Sequence, residues 1–229
     1  ELKDICFSYK KTGNNILKNI NLTIKKGERI GIIGSTGSGK STLIDIFLCL
    51  LSPDSGEFLV DQRNLYDKKN ENLLNSWRAS IGHVPQDIYL MDASFAENIA
   101  FCDSEKIIDY EKVKVAARKA QIHGFIKSTN LGYFTNIGER GVKLSGGQKQ
   151  RIGIARALYL DSNVLIFDEA TSSLDNETEK EIIKSIEGLS KDLTIIMVAH
   201  RLSTLTNCDR LISIKNGIKI NEGPPKKII

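Results

Sequence analysis

Within eight residues, Gly34-Ser35-Thr36-Gly37-Ser38-Gly39-Lys40-Ser41, the chain gathers three glycines, four hydroxyls and one lysine, a set suited to hold a triphosphate. The apolar run Ile30-Gly31-Ile32-Ile33 precedes it and an amphipathic segment follows, so the pattern predicts strand, loop and helix in succession. Glycines at 34, 37 and 39 permit backbone conformations that a Cβ obstructs, letting consecutive N–H groups converge on one anion. A helix starting near Lys40 adds the positive end of its dipole, about half an elementary charge. Lys40 then serves the β- and γ-phosphates and Ser41 offers a hydroxyl to Mg²⁺, with Thr42 closing the set. A glycine-rich turn that happens to contain Lys-Ser is the alternative, and both spacing and flanks argue against it.

A second constellation is Val164-Leu165-Ile166-Phe167-Asp168-Glu169, two carboxylates ending an apolar run that reads as a buried strand. Open α/β sheets place their ligand sites at such strand ends. Asp168 is suited to hold Mg²⁺ through a water, and Glu169 to orient or deprotonate the water attacking a γ-phosphate. A third element, Leu144-Ser145-Gly146-Gly147-Gln148, reads as another anion-binding turn. Ser145 is an expected N-cap, the two glycines allow close backbone approach to a ligand, and a helix is expected from near Gln148.

The elements that must position these groups follow from periodicity. Residues 2–9, 17–24 and 29–33 read as strands, with a turn at Thr12-Gly13-Asn14-Asn15. Leu43, Ile46, Phe47, Leu50 and Leu51 share one helical face, and Pro53 is expected to end that helix. Short strands are expected at 56–60 and 81–84, and mainly helix from Gln86 to about Asp161, clearest at 110–120 and 148–160. Further on come a helix at 178–189, a buried strand at 194–199 and a hairpin around Asn216-Gly217. Buried strands alternating with helices indicate an α/β chain built on a mainly parallel sheet.

Composition narrows the class. The 229 residues suffice for one α/β domain, and 41% hydrophobic with 26% charged residues is ordinary for a globular chain. A net charge of +4 with scattered lysines argues against a nucleic-acid groove. Four separated cysteines, Cys6, Cys49, Cys102 and Cys208, form no C-x-x-C pair, so neither a zinc site nor a disulfide framework is expected. The most apolar run, residues 43–51, falls well short of the ~20 residues that span a bilayer. The chain opens at Glu1 straight into a strand-like run, which suggests a domain cut from a longer polypeptide.

Two glycine-rich loops and a hydrophobic-Asp-Glu run, in this order, make the whole chain similar to the nucleotide-binding domain of an ATP-binding cassette (ABC) protein. Residues 144–148 then correspond to the family's signature sequence. The resemblance implies a P-loop NTPase core with a mainly parallel sheet, an N-terminal antiparallel β subdomain and an inserted α-helical subdomain. It sets one domain over 1–229, with the core at 1–85 and 162–229 and the helical part at 86–161. It also implies further roles: Tyr9 stacks on adenine, Gln86 reaches the metal and the attacking water, and His200 contacts the γ-phosphate. Ser173-Leu174-Asp175 passes between partner subunits, whereas His83 and His123 match no motif and are expected to be structural.

In relatives two such domains pack head to tail, each ATP lying between one phosphate loop and the other copy's signature. By that resemblance Lys40, Gln86, Glu169 and His200 are catalytic. Tyr9, residues 34–42, Ser145, Gly146, Gly147, Gln148 and Asp175 bind the nucleotide, and Ser41, Gln86 and Asp168 hold Mg²⁺. Asn136-Ile137-Gly138-Glu139-Arg140-Gly141 and the segment 94–101 resemble exporter-type transporters. This implies a homodimer on the cytoplasmic side of a membrane, meeting a transmembrane domain near Gln86 and Glu139, with no nucleic-acid partner. Cys49 and Ser52 depart slightly from the branch's usual small residues and prolines but lie outside every motif. The alternative within the family is a soluble ATPase acting on DNA or ribosomes.

Overall fold

The computed structural model describes residues 1–10, 13–101, 108–170, 174–199 and 201–228. In chain order the elements are β1 (Leu2–Phe7), β2 (Leu17–Leu22), β3 (Arg29–Ile33), α1 (Lys40–Phe47), β4 (Ser55–Val60) and β5 (Arg63–Asn64). Then follow α2 (Glu71–Ala79), β6 (Ile81–Val84), α3 (Phe95–Ala100), α4 (Tyr110–Lys119), α5 (His123–Ser128) and α6 (Gly146–Tyr159). The last are β7 (Val164–Asp168), α7 (Asn176–Glu187), β8 (Thr194–Val198), β9 (Arg210–Lys215), β10 (Ile218–Gly223) and α8 (Pro225–Ile228).

The expected architecture is present. One sheet runs β2-β1-β4-β5 and is antiparallel, and a six-stranded sheet runs β10-β9-β3-β8-β7-β6. In the latter β9, β3, β8, β7 and β6 are parallel, with β10 antiparallel at one edge. β7 and β8 read as unbroken apolar runs because both faces are covered. Leu165, Phe167, Ile195 and Met197 enter the cluster shared with the helices. Val164, Ile166, Ile196 and Val198 enter the opposite cluster, built with α1 and the antiparallel sheet. Period-two alternation thus feeds two cores from one strand layer.

The helix after the phosphate loop ends earlier than expected. α1 stops at Phe47, and Cys49 adopts a left-handed φ of 55°, turning the exposed Leu50 away from the core. Pro53 is therefore not the terminator. The freed carbonyls are covered by α2, an element the sequence pattern left unread. Trp77 Nε1 donates to the Phe47 carbonyl at 2.9 Å, and Arg78 donates to the Cys49 carbonyl at 2.8 Å. α6 begins at Gly146, two residues before Gln148, and α7 begins at Asn176. The expected turn at 12–15 includes Thr12, which lies outside the described residues. The 216–217 hairpin forms as expected between β9 and β10.

Candidate functional site

β3 delivers the chain into a loop shaped by what a side chain would collide with. A Cβ at Gly34 would lie 2.3 Å from the Ile214 carbonyl and 2.6 Å from Ser38 Oγ. Gly39 caps α1 with φ 104°, a conformation that L side chains rarely adopt. The β9–β10 turn braces the loop from outside, with Gly217 N–H donating to the Ser38 carbonyl at 3.0 Å.

Lys40 is only 5% exposed, and its Nζ donates to the Gly34 and Ser35 carbonyls at 3.0 and 3.1 Å. The ammonium is thus held inside the curve of its own loop. Ser38 Oγ is buried with no hydrogen-bond partner among the described residues. A buried orphan hydroxyl beside a lysine, at the N-terminus of an eight-residue helix, is what a phosphate group would satisfy. The residues present fit a nucleotide.

Tyr9 stands beside this loop. It is 63% exposed, lies edge-on to Phe7 at 5.1 Å and shares a hydrogen bond with Thr42 Oγ1 at 3.2 Å. Its outer face is free, so it is not a core tyrosine.

Asp168 ends β7 opposite Val198 of β8, the strand that separates β7 from β3. Its carboxyl is pushed above the ordinary carboxylate range, first by burial, then by the Glu169 and Asp45 carboxylates, against the pull of Lys40. The Glu169 and Asp45 charges outweigh that pull, surroundings in which a cation would favour an ionised Asp168, although among the described residues no three His, Cys, Asp or Glu side chains are grouped to hold a metal by themselves. Glu169 follows with a left-handed φ of 49°, its N–H donating to the Val198 carbonyl at 3.0 Å.

The turn at 144–148 is a complete capping box. Gln148 N–H donates to Ser145 Oγ at 3.3 Å, and Ser145 N–H donates to Gln148 Oε1 at 2.9 Å. Ser145 and Gly146 are exposed, whereas Gly147 is buried. A Cβ at Gly147 would stand 2.4 Å from Thr178 Cγ2, so this glycine is required by packing within the chain. Sequence reading assigned both glycines to ligand approach and missed that contact.

Thr178 belongs to α7, capped by Asp175. The Asp175 carboxylate accepts from the Glu177 and Thr178 N–H groups and from Thr178 Oγ1 at 3.1, 3.0 and 2.7 Å. Those bonds, chiefly the Thr178 N–H, hold its carboxyl below the usual range.

The fold therefore brings Tyr9, residues 34–42, Asp168 and Glu169 to one end of the parallel sheet. Among the described residues no hydrogen bond or ion pair joins residues 144–148 to that group. Gln86 is exposed just beyond β6, its carbonyl accepting from Gln150 Nε2 at 3.2 Å. Ser173 and His200 lie outside the described residues. His83 and His123 sit apart from the site, on β6 and at the start of α5, where His123 Nδ1 and the Tyr133 hydroxyl are 2.7 Å apart.

Residues 17–172 match the family model described as ABC transporter. The chain belongs to the ABC transporter family. It is 44% identical over 229 residues to the alpha-hemolysin translocation ATP-binding protein HlyB of Escherichia coli O157:H7, covering 100% of this chain and 32% of that protein. It is 42% identical over 229 residues to a putative multidrug export ATP-binding/permease protein of Staphylococcus aureus (strain NCTC 8325 / PS 47), covering 39% of it. A solved structure of a bacterial Atm1-family ABC exporter with ATP bound superposes with a TM-score of 0.87 at 34% identity, over 99% of this chain and 39% of that one. The chain thus spans about a third of the length of these relatives. As an ABC transporter ATP-binding domain it is a nucleotide-binding protein of an ATPase family.

Proposed function

We propose that this domain binds ATP with Mg²⁺ and hydrolyses it across a head-to-tail pair of identical copies. The cycle powers export or flipping of a substrate by a transmembrane domain on the same polypeptide, from the cytoplasmic face of the membrane. The observation that carries this reading is the exposed capping box at Ser145 and Gly146. It opens α6, where a helix N-terminus suits an anion, and among the described residues no hydrogen bond or ion pair joins it to the chain's own phosphate loop.

In this reading residues 34–42 and Lys40 cradle the phosphates, and Tyr9 stacks on adenine. Ser145 to Gln148, with Asp175, meet the nucleotide held by the opposite copy. Ser41, Gln86 and Asp168 hold the metal, which when bound neutralises charge developing on the phosphate oxygens. Glu169 orients the attacking water and accepts its proton, and His200 contacts the γ-phosphate.

The division into a core at 1–85 and 162–229 and a helical part at 86–161 is supported by connectivity. β6 and β7 are adjacent parallel strands, yet α3 to α6 intervene between them. For contact with the membrane domain near Gln86 and Glu139, the support is a cavity of about 430 Å³ at Gln86 whose lining includes Tyr89, Gly146 and Arg140, the residue after Glu139.

Glu169→Gln tests the chemistry. It should retain ATP affinity in calorimetry while turnover nearly disappears, and full turnover would reject the assignment of Glu169.

A further inference from the structure

α6 presents three residues, Gln150, Gly153 and Arg156, spaced three apart, and all three grip one distant segment, residues 86–89. Gln150 is 4% exposed and donates from Nε2 to the Gln86 carbonyl at 3.2 Å. Its Oε1 is buried with no hydrogen-bond partner among the described residues. Gly153 lets Ile88 lie directly on the helix backbone, since a Cβ there would stand 2.5 Å from Ile88 Cδ1. Arg156 donates from Nη1 to the Tyr89 carbonyl at 3.0 Å and from Nε to the Asn98 carbonyl at 3.0 Å. Residues three apart share a helix face, so one ridge of α6 carries the whole segment.

We infer that Gln150 is a positioning residue for Gln86, and that Gly153 and Arg156 complete a seam making residues 86–89 part of the rigid body of α6. The inference rests on the reading of Gln86 as the residue that reaches the metal and water, and it names what holds Gln86 there. A half-satisfied buried carboxamide is unfavourable by itself. Here its donor fixes the backbone of the one residue that must reach out of the core.

The consequence is a link between two sites. The capping box at Ser145 starts α6, and the seam begins five residues later, roughly 7.5 Å along the axis at 1.5 Å per residue. When the opposite copy's nucleotide engages Ser145, a shift of α6 carries the chain's own Gln86 with it. Each copy's metal-side glutamine is therefore set by the nucleotide its signature touches.

Gln150→Leu in the 229-residue chain removes the bond while keeping the side chain's bulk. Without nucleotide, amide hydrogen exchange over residues 86–90 should speed about 10-fold or more, the signature of a segment released to local opening. The Mg²⁺ concentration for half-maximal hydrolysis should rise and kcat fall by roughly 10–100-fold, as expected for misplacement near 1 Å. ATP affinity measured without Mg²⁺ should hold.

Gly153→Ala should act alike by displacing Ile88, and Gly153→Ala with Ile88→Ala should restore exchange and Mg²⁺ dependence. That pair decides the matter should Gln150→Leu fail to fold. Gln86→Ala is the control. If it shifts Mg²⁺ dependence and Gln150→Leu does not, the seam is contradicted. If Gln86→Ala shifts nothing, its metal role is wrong, and the exchange data alone judge the seam. Unchanged exchange over 86–90 in both Gln150→Leu and Gly153→Ala overturns it.

Discussion

Thr178 fills the space beside Gly147. The methyl of the first residue would stand 2.4 Å from any Cβ on the second, while its hydroxyl is bound at 2.7 Å to the Asp175 carboxylate. One threonine thus joins the turn at 144–148 to the cap of α7. Gly147→Ala should overpack this joint and cost about 1–3 kcal/mol, more than an alanine in a helix returns. Gly147→Ala with Thr178→Ser should recover most of the loss, because serine drops the methyl and keeps the hydroxyl. Urea midpoints of the single and double variants check this, and an unstabilised double variant would count against it.

The glycine at 147 marks where the sequence stopped being informative. The strands at 164–168 and 194–198 were legible because burial on both faces makes them apolar throughout. Ser145 was legible as a cap because its partner Gln148 is three residues away. Contacts that depend on distant residues were not. Gln150 looks like any polar helical residue, and only the folded chain brings it to Gln86, 64 positions earlier. Likewise Leu50 and Leu51 continue a helical pattern that the left-handed Cys49 interrupts, and α2 was hidden in a mostly polar stretch.

Removing the loop ammonium should weaken nucleotide binding itself. Lys40→Ala deletes a charged donor held at the mouth of the loop, a kind of bond worth about 1.5–3 kcal/mol. Titration calorimetry should register roughly a 10- to 100-fold loss in ATP affinity, by the usual 1.4 kcal/mol per decade. Unchanged affinity would contradict the role given to Lys40.

Tyr9 offers a graded test. Tyr9→Ala should cost about 1–3 kcal/mol of ATP affinity through lost stacking, whereas Tyr9→Phe should retain it. The hydroxyl bond to Thr42 is then incidental. Equal losses in both variants would transfer the role from the ring to that bond.

The edge of the large sheet should show an acid limb. Arg210 pairs with Glu28 at 2.5 Å and also with Glu222, tying β9 to the turn before β3 and to β10. Although burial opposes it, bonding from Arg210 and the Lys25 N–H leaves the Glu28 carboxyl below its ordinary range. A lowered folded-state pKa means this stabilisation is fully present above the unfolded-state value and is lost as pH falls through the folded-state value. Urea midpoints should therefore fall below about pH 4.5, the ordinary range for Glu, and fall less steeply in Glu28→Gln. Identical acid limbs would remove Glu28 from the account.

The shared-site claim is tested most directly by the mass of the Glu169→Gln protein in ATP and Mg²⁺, with and without Ser145→Arg. The account predicts a dimer for Glu169→Gln and a monomer once Ser145→Arg is added, while calorimetry shows each chain still binding ATP through its own phosphate loop. A Glu169→Gln monomer at every concentration, or a dimer indifferent to Ser145→Arg, would contradict it.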